Sequence, residues 1–149
     1  MRVIHLPRRK LLPALLILLA VLGVVLFFTL RAGGRPADIS ADGIAGCVSY
    51  LEKLGWQVEP EPVETLHLRL PEDLSSFGDY AALQRSQALP FADYGGQPVR
   101  RYTYAVGNYP GVPEGVQANL YLCGDTLIGG DIIATGKGGF QRELAYPKG

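Results

Sequence analysis

VQANLYLC (Val116–Cys123), Gly124-Asp125 and TLIGGDIIAT (Thr126–Thr135) form the stretch on which the fold turns. In its first half Val116, Ala118, Leu120 and Leu122 alternate with Gln117, Asn119 and Tyr121, the period-two pattern of a strand with one buried face. Gly124-Asp125 is a tight-turn pair, and the apolar run beyond it returns as a second strand. Working outward, Gly136 to Gly139 makes another turn before a short strand from Phe140 to Leu144. On the other side, Gly107 to Gly115 holds Pro110 and Pro113 and reads as a loop, preceded by the β-forming run VRRYTYAV (Val99–Val106). Consecutive strands on short turns make an antiparallel meander.

Upstream the periodicity changes. Ile44, Cys47, Val48, Leu51 and Leu54 recur at helical spacing, which predicts a helix over Ala41–Leu54 with Ser40 as N-cap and Gly55 as its left-handed stop. Trp56 to Glu59 is a short extended stretch, ended by Pro60 and Pro62. Leu66, Leu68 and Leu70 alternate with Thr65, His67 and Arg69, a strand with one buried face closed by Pro71. Phe77, Tyr80, Ala81 and Leu83 give an apolar side to a second helix over Ser76–Gln87, and Leu89 to Pro98 is a loop with a Tyr94-Gly95-Gly96 turn. The fold class expected is α+β: an N-terminal transmembrane helix, then two helices packed on one face of a mostly antiparallel sheet of about four to five strands.

The chain has 149 residues, and Leu11 to Leu30 (LLPALLILLAVLGVVLFFTL) contains no charged residue. At about 1.5 Å per residue such a run spans roughly 30 Å, the thickness of a bilayer core. Arg8, Arg9 and Lys10 would equally suit a cleavable signal peptide. The length of the run and the lack of an Ala-x-Ala site at its end favour an uncleaved anchor. Four basic residues precede the run (Arg2, Arg8, Arg9, Lys10) and Arg31 and Arg35 follow it, which places the N-terminus in the cytoplasm. The expected organisation is a cytoplasmic tail at 1–10, a single-pass transmembrane helix at 11–30, a linker at 31–37 and an extracytoplasmic domain at 38–149. From Ala37 onward eight basic residues face fourteen acidic ones, a balance of −6, so nucleic acid is not an expected partner.

The outer segment carries little recognisable chemistry. His67 is its single histidine, and Cys47 and Cys123 are too far apart in sequence for a metal motif, so no metal, cofactor or catalytic residue is expected. The cysteines are expected to share one layered core, either bridged or as buried thiols. The serines suit helix starts and caps. Asp125 and Asp131 flank TLIGG without the ligand spacing of a calcium loop. Gly129-Gly130 inside a strand reads as a bulge or as a close approach of backbone or ligand. All eight tyrosines lie in the outer segment. Tyr102 and Tyr104 read as core, whereas Tyr94 and Tyr109 sit on loops. The candidate binding residues are therefore Tyr94, Asn108, Tyr109, Gly129, Gly130 and Asp131.

Four segments, LEKLGWQVEPEP (Leu51–Pro62), FGDYAALQRSQAL (Phe77–Leu89), VRRYTYAVGNYP (Val99–Pro110) and LIGGDI (Leu127–Ile132), occur in an order that resembles an uncharacterised family of bacterial membrane-anchored domains. The likeness spans most of the outer domain and departs from the pattern at Leu89-Pro90. It implies an extracytoplasmic module behind one transmembrane helix and transfers no activity or residue role. The expected function is a non-catalytic binding or assembly module at the cell envelope, with the bilayer and a protein or envelope component as partners. The alternatives are an envelope hydrolase using scattered carboxylates (Glu64, Asp73, Asp79, Asp93, Asp125, Asp131) and a small-molecule sensor with a closed apolar pocket.

Overall fold

Five strands follow one another in chain order across one antiparallel sheet: β1 (Glu64–Arg69), β2 (Pro98–Ala105), β3 (Val116–Cys123), β4 (Thr126–Ala134) and β5 (Phe140–Arg142). The computed structural model describes residues 43–136 and 138–148. The expected transmembrane run at 11–30, the linker and the Ser40 cap lie outside the described residues, and no described helix is long and apolar enough to cross a membrane. Two helices accompany the sheet, α1 (Gly43–Lys53) and α2 (Gly78–Ser86), so the α+β class holds. Gly55 ends α1 at φ 100°, the left-handed stop that a glycine adopts without Cβ strain. The loop expected at Leu89–Pro98 contains a 3₁₀ turn, Phe91–Tyr94.

Register sorts the side chains. Tyr102 lies opposite Leu120 and Leu120 opposite Gly130, while Arg101 lies opposite Tyr121 and Tyr121 opposite Gly129. Since neighbours in a strand point to opposite faces, Tyr102, Tyr104, Ala118, Leu120 and Ile132 share one face, and Val99, Arg101, Thr103, Asn119, Tyr121 and Asp131 share the other. The first face packs with Cys47, Leu51 and Trp56 from α1 and its exit. The second packs Val99 and Tyr121 with Ala81 and Tyr80 of α2 and with Phe91. The helices thus serve different faces, which corrects the expected single-face arrangement. Helical periodicity identifies each apolar stripe but carries no information about which side of a sheet it will meet.

The cysteines separate for the same reason. Cys47 is buried on α1 in the first cluster, Cys123 is half-buried beside the second, and both are free thiols. They do not share the core expected of them. Burial pushes the Cys47 thiol up to about 12, against the lowering effects of the Tyr104 hydroxyl and Arg100, so it stays protonated and unreactive. Tyr102 and Tyr104 do fill the core, and the Tyr104 hydroxyl donates to the Ile44 carbonyl at 3.2 Å.

Candidate functional site

Asp131 sits at the end of a polar row that runs across the second face. Register aligns Glu64, Thr103, Asn119 and Asp131 on adjacent strands. The Thr103 hydroxyl donates to Asn119 Oδ1 at 2.8 Å, Asn119 Nδ2 donates to Asp131 Oδ1 at 2.8 Å, and Gln141 Nε2 donates to Asp131 Oδ2. Asp131 is only 2% exposed. Desolvation raises its pKa above the ordinary 3.8, opposed by the two amide donors and by the nearby Arg101 charge. Arg101 itself pairs with Glu64. With both carboxylate oxygens held by amides, the row works as a crosslink between strands and has no free oxygen to offer a substrate.

The pH dependence follows from the raised value. The folded state holds the Asp131 proton to higher pH than the unfolded chain, so this group's contribution to stability falls as pH rises from about 3.8 through the folded pKa and is level above it. Urea denaturation across this range should therefore show the stability of the native protein minus that of Asp131→Asn declining with pH. A difference that rises or stays flat would contradict the burial assigned to this carboxylate.

Gly129 and Gly130 are buried where β4 leaves its regular register: Tyr121 faces Gly129 and Leu122 faces Leu127, so Ile128 is the extra residue of a bulge. Beyond the bulge the Gly130 backbone points away from β3 and meets side chains of α2 and its exit. Its N–H donates to Gln84 Oε1 at 2.8 Å and its carbonyl accepts from Gln87 Nε2 at 3.0 Å. Gln87 Oε1 in turn accepts the Leu144 N–H at 2.6 Å. One glutamine amide thus stands between β4 and the chain beyond β5 where a direct ladder bond would otherwise lie.

Asn108 and Tyr109 belong to a different structure. Asn108 Oδ1 accepts the Gln57 N–H, its Nδ2 donates to the Gly55 carbonyl, both at 2.9 Å, and its own carbonyl accepts from the Tyr146 hydroxyl at 3.0 Å. Tyr109 stacks on Trp56 at 5.8 Å with the planes 9° apart and lies 4.8 Å from Phe140. Tyr94, half-buried, packs in the second cluster with Phe91. The six expected binding residues therefore occupy three places: the Trp56 aromatic cluster, the 3₁₀ turn and the β4 row. The candidate carboxylates are dispersed as well. Asp125 lies 3.9 Å from Arg100 at the β3–β4 turn, Asp73 accepts the Ser75 N–H at 2.8 Å, and among the described residues no three of His, Cys, Asp and Glu cluster as for a metal.

The surface with unused capacity is β1, first in the sheet and with no strand beyond it among the described residues. The Leu70 N–H donates to the Gln97 carbonyl at 3.0 Å, and the Val106 N–H to the Val116 carbonyl at 2.9 Å. Both fix the same phase: the even residues of β1 bond β2, and the backbone groups of Thr65, His67 and Arg69 face outward. Burial along β1 is slight, with Leu66 38% exposed. The half-buried strand expected from its leucines is thus an edge whose apolar face is covered only toward Leu70. Beside it, His67, Arg69 and Arg100 line an open groove of about 500 Å³. The sequence held a signal for this edge in Pro60, Pro62 and Pro71 around the strand and in its mixed charges, which are usual on edges. No protein-family model, no curated protein and no solved structure matches this chain. The resemblance of its four segments therefore supplies no assignment, and function rests on the site's own chemistry.

Proposed function

We propose that the chain is a single-pass membrane protein, anchored through residues 11–30 with its N-terminus in the cytoplasm, whose outer domain is a non-catalytic binding or assembly module at the cell envelope. The observation that carries the binding reading is the open edge of β1. Three residues in alternation present donors and acceptors that no described residue uses, beside exposed Leu66 and a cationic groove. Strand addition to such an edge is an established mode of peptide recognition. Asn108, Tyr109, Gly130 and Asp131 support the reading indirectly, because their polar groups and contacts are spent holding the scaffold. Against the hydrolase alternative, its candidate carboxylates are dispersed: Asp125 lies 3.9 Å from Arg100 at the turn and Asp131 is sealed in its row.

The test is a photo-crosslinking amino acid placed at Leu66 of the full chain in intact, wall-stripped cells, with Arg85 on the exposed side of α2 as the control position. Capture is expected from Leu66, not from Arg85, and should be lost with Thr65→Pro. That substitution removes an outward N–H and leaves the β1–β2 bonds in place. Capture that ignores Thr65→Pro, or an envelope-hydrolytic activity that disappears with Asp131→Asn, overturns the proposal.

A further inference from the structure

The geometry points to the class of partner this edge receives: an extended peptide segment in which acidic side chains alternate with apolar ones, added as a sixth strand outside β1. The inference rests on the binding reading above and goes further by assigning the chemistry of the guest.

A strand laid along β1 bonds to the outward N–H and C=O groups of Thr65, His67 and Arg69, and its side chains then alternate between the two faces of the sheet. On one face they meet the side chains of His67 and Arg69, and one strand further in that of Arg100, which register places opposite His67. All three line the same groove. The cations there are only partly spent: Arg69 donates to the Gly96 carbonyl, and Arg100 donates to the Gly124 carbonyl at 2.8 Å and lies 3.9 Å from Asp125, a separation too long for a close pair. Guest carboxylates on this face gain charge-assisted bonds. On the opposite face the neighbours are Leu66, 38% exposed, and half-buried Leu68. Apolar guest side chains complete a surface left uncovered among the described residues.

The chain from Ala37 onward carries −6, so an acidic segment is repelled by most of the domain and attracted where His67, Arg69 and Arg100 gather. A basic guest would put like charges across the strand pair, and a uniformly apolar one would face two arginines. A second copy of this chain pairing β1 with β1 would likewise bring the Arg69 side chains of both copies onto one face, where they repel.

The experiment uses the full chain in nanodiscs of neutral phosphatidylcholine and two fluorescent, end-blocked peptides of about seven residues, long enough at roughly 3.4 Å per residue to cover β1. One peptide alternates Glu with Val, the other Lys with Val. By fluorescence anisotropy the Glu–Val peptide should bind at least about tenfold more tightly than the Lys–Val peptide. The preference should vanish in the neutral double variant Arg69→Gln/Arg100→Gln and reverse in Arg69→Glu/Arg100→Glu. Hydrogen exchange in the native protein should slow at the amides of Thr65, His67 and Arg69 on addition of the Glu–Val peptide. Equal binding of the two peptides, slowed exchange elsewhere than on β1, or dimerisation through β1 without peptide overturns the inference. If neither peptide binds while Leu66 still captures a partner in cells, the acidic-apolar chemistry is wrong and the binding module stands. If capture fails as well, both fall.

Discussion

Replacing Trp56 with alanine is expected to lower the free energy of unfolding by about 3–5 kcal/mol, the range for removing a large buried aromatic. Trp56 is 2% exposed, and its Nε1–H donates to the Leu144 carbonyl at 2.7 Å, joining residues 88 apart in the chain. Its ring also lies 4.7 Å from that of Tyr146 and stacks on Tyr109. Truncation removes those contacts, opens a cavity between α1 and the sheet, and strands a buried carbonyl. Against a total of about 5–15 kcal/mol for a domain, the loss is a large share of the whole. Trp56→Phe keeps an aromatic ring and loses the donor, so a smaller cost of about 1–3 kcal/mol is expected. Trp56 is the sole tryptophan, so the measurement is urea unfolding followed by far-ultraviolet circular dichroism. A change below about 1 kcal/mol for the alanine variant would show that the cluster around Trp56 is looser than its geometry indicates.

Gly130→Ala should be the other severe substitution, at about 3 kcal/mol, the upper part of the range for overpacking. A Cβ at Gly130 would lie 2.6 Å from Leu144 Cδ1, 2.8 Å from the Asn119 carbonyl oxygen and 3.1 Å from Leu120 Cδ2. The leucine tips can rotate, but the Asn119 oxygen belongs to the β3 backbone and cannot yield without moving the ladder. Displacing β4 there also disturbs the bonds from Gln84 and Gln87. Gly129→Ala meets Phe91 Cδ2 at 3.1 Å and the Gln84 side chain at 3.5 Å, both side chains rather than backbone, and should cost less. Gly78→Ala, in α2 with nothing within 4 Å, should stabilise by roughly 0.5–1 kcal/mol through helix propensity. The order of the three midpoints in one denaturation series is the test, and a Gly130→Ala protein as stable as Gly129→Ala would contradict the close packing at that position.

Legibility in the sequence followed the range of the interaction. Alternation along Val116–Cys123 is a local property, and the strand it implied has those bounds in the structure. The turn at Gly124, the helix stop at Gly55 and the bulge beside Gly129 were likewise written in residues close together in the chain. The side of the sheet each helix takes was not, because Leu51 and Ala81 are equally apolar whichever face receives them. The same gap misplaced Cys123 relative to Cys47. Among the candidate binding residues, Tyr109 read as a loop tyrosine free for a partner, but its ring is engaged by Trp56 and Phe140. Nothing in the local sequence announces a neighbour so distant along the chain. Leu66 shows the converse: an apolar alternation that promised burial lies on an edge that the helices cover only toward Leu70.

The glutamine amides on Gly130 have a consequence for stoichiometry. Edge-to-edge polymers of sheet proteins require two accessible edges on each subunit, so that every addition regenerates a site for the next. Here the margin of β4 at Gly130 is occupied by Gln84 and Gln87, and β5 covers the rest with a three-residue strand, Phe140–Arg142, too short to template a long ladder. Among the described residues, β1 is therefore the one long edge open to strand addition. On the proposed binding mode, a guest strand on β1 terminates the array instead of extending it, and the expected stoichiometry is one guest per chain rather than a fibre.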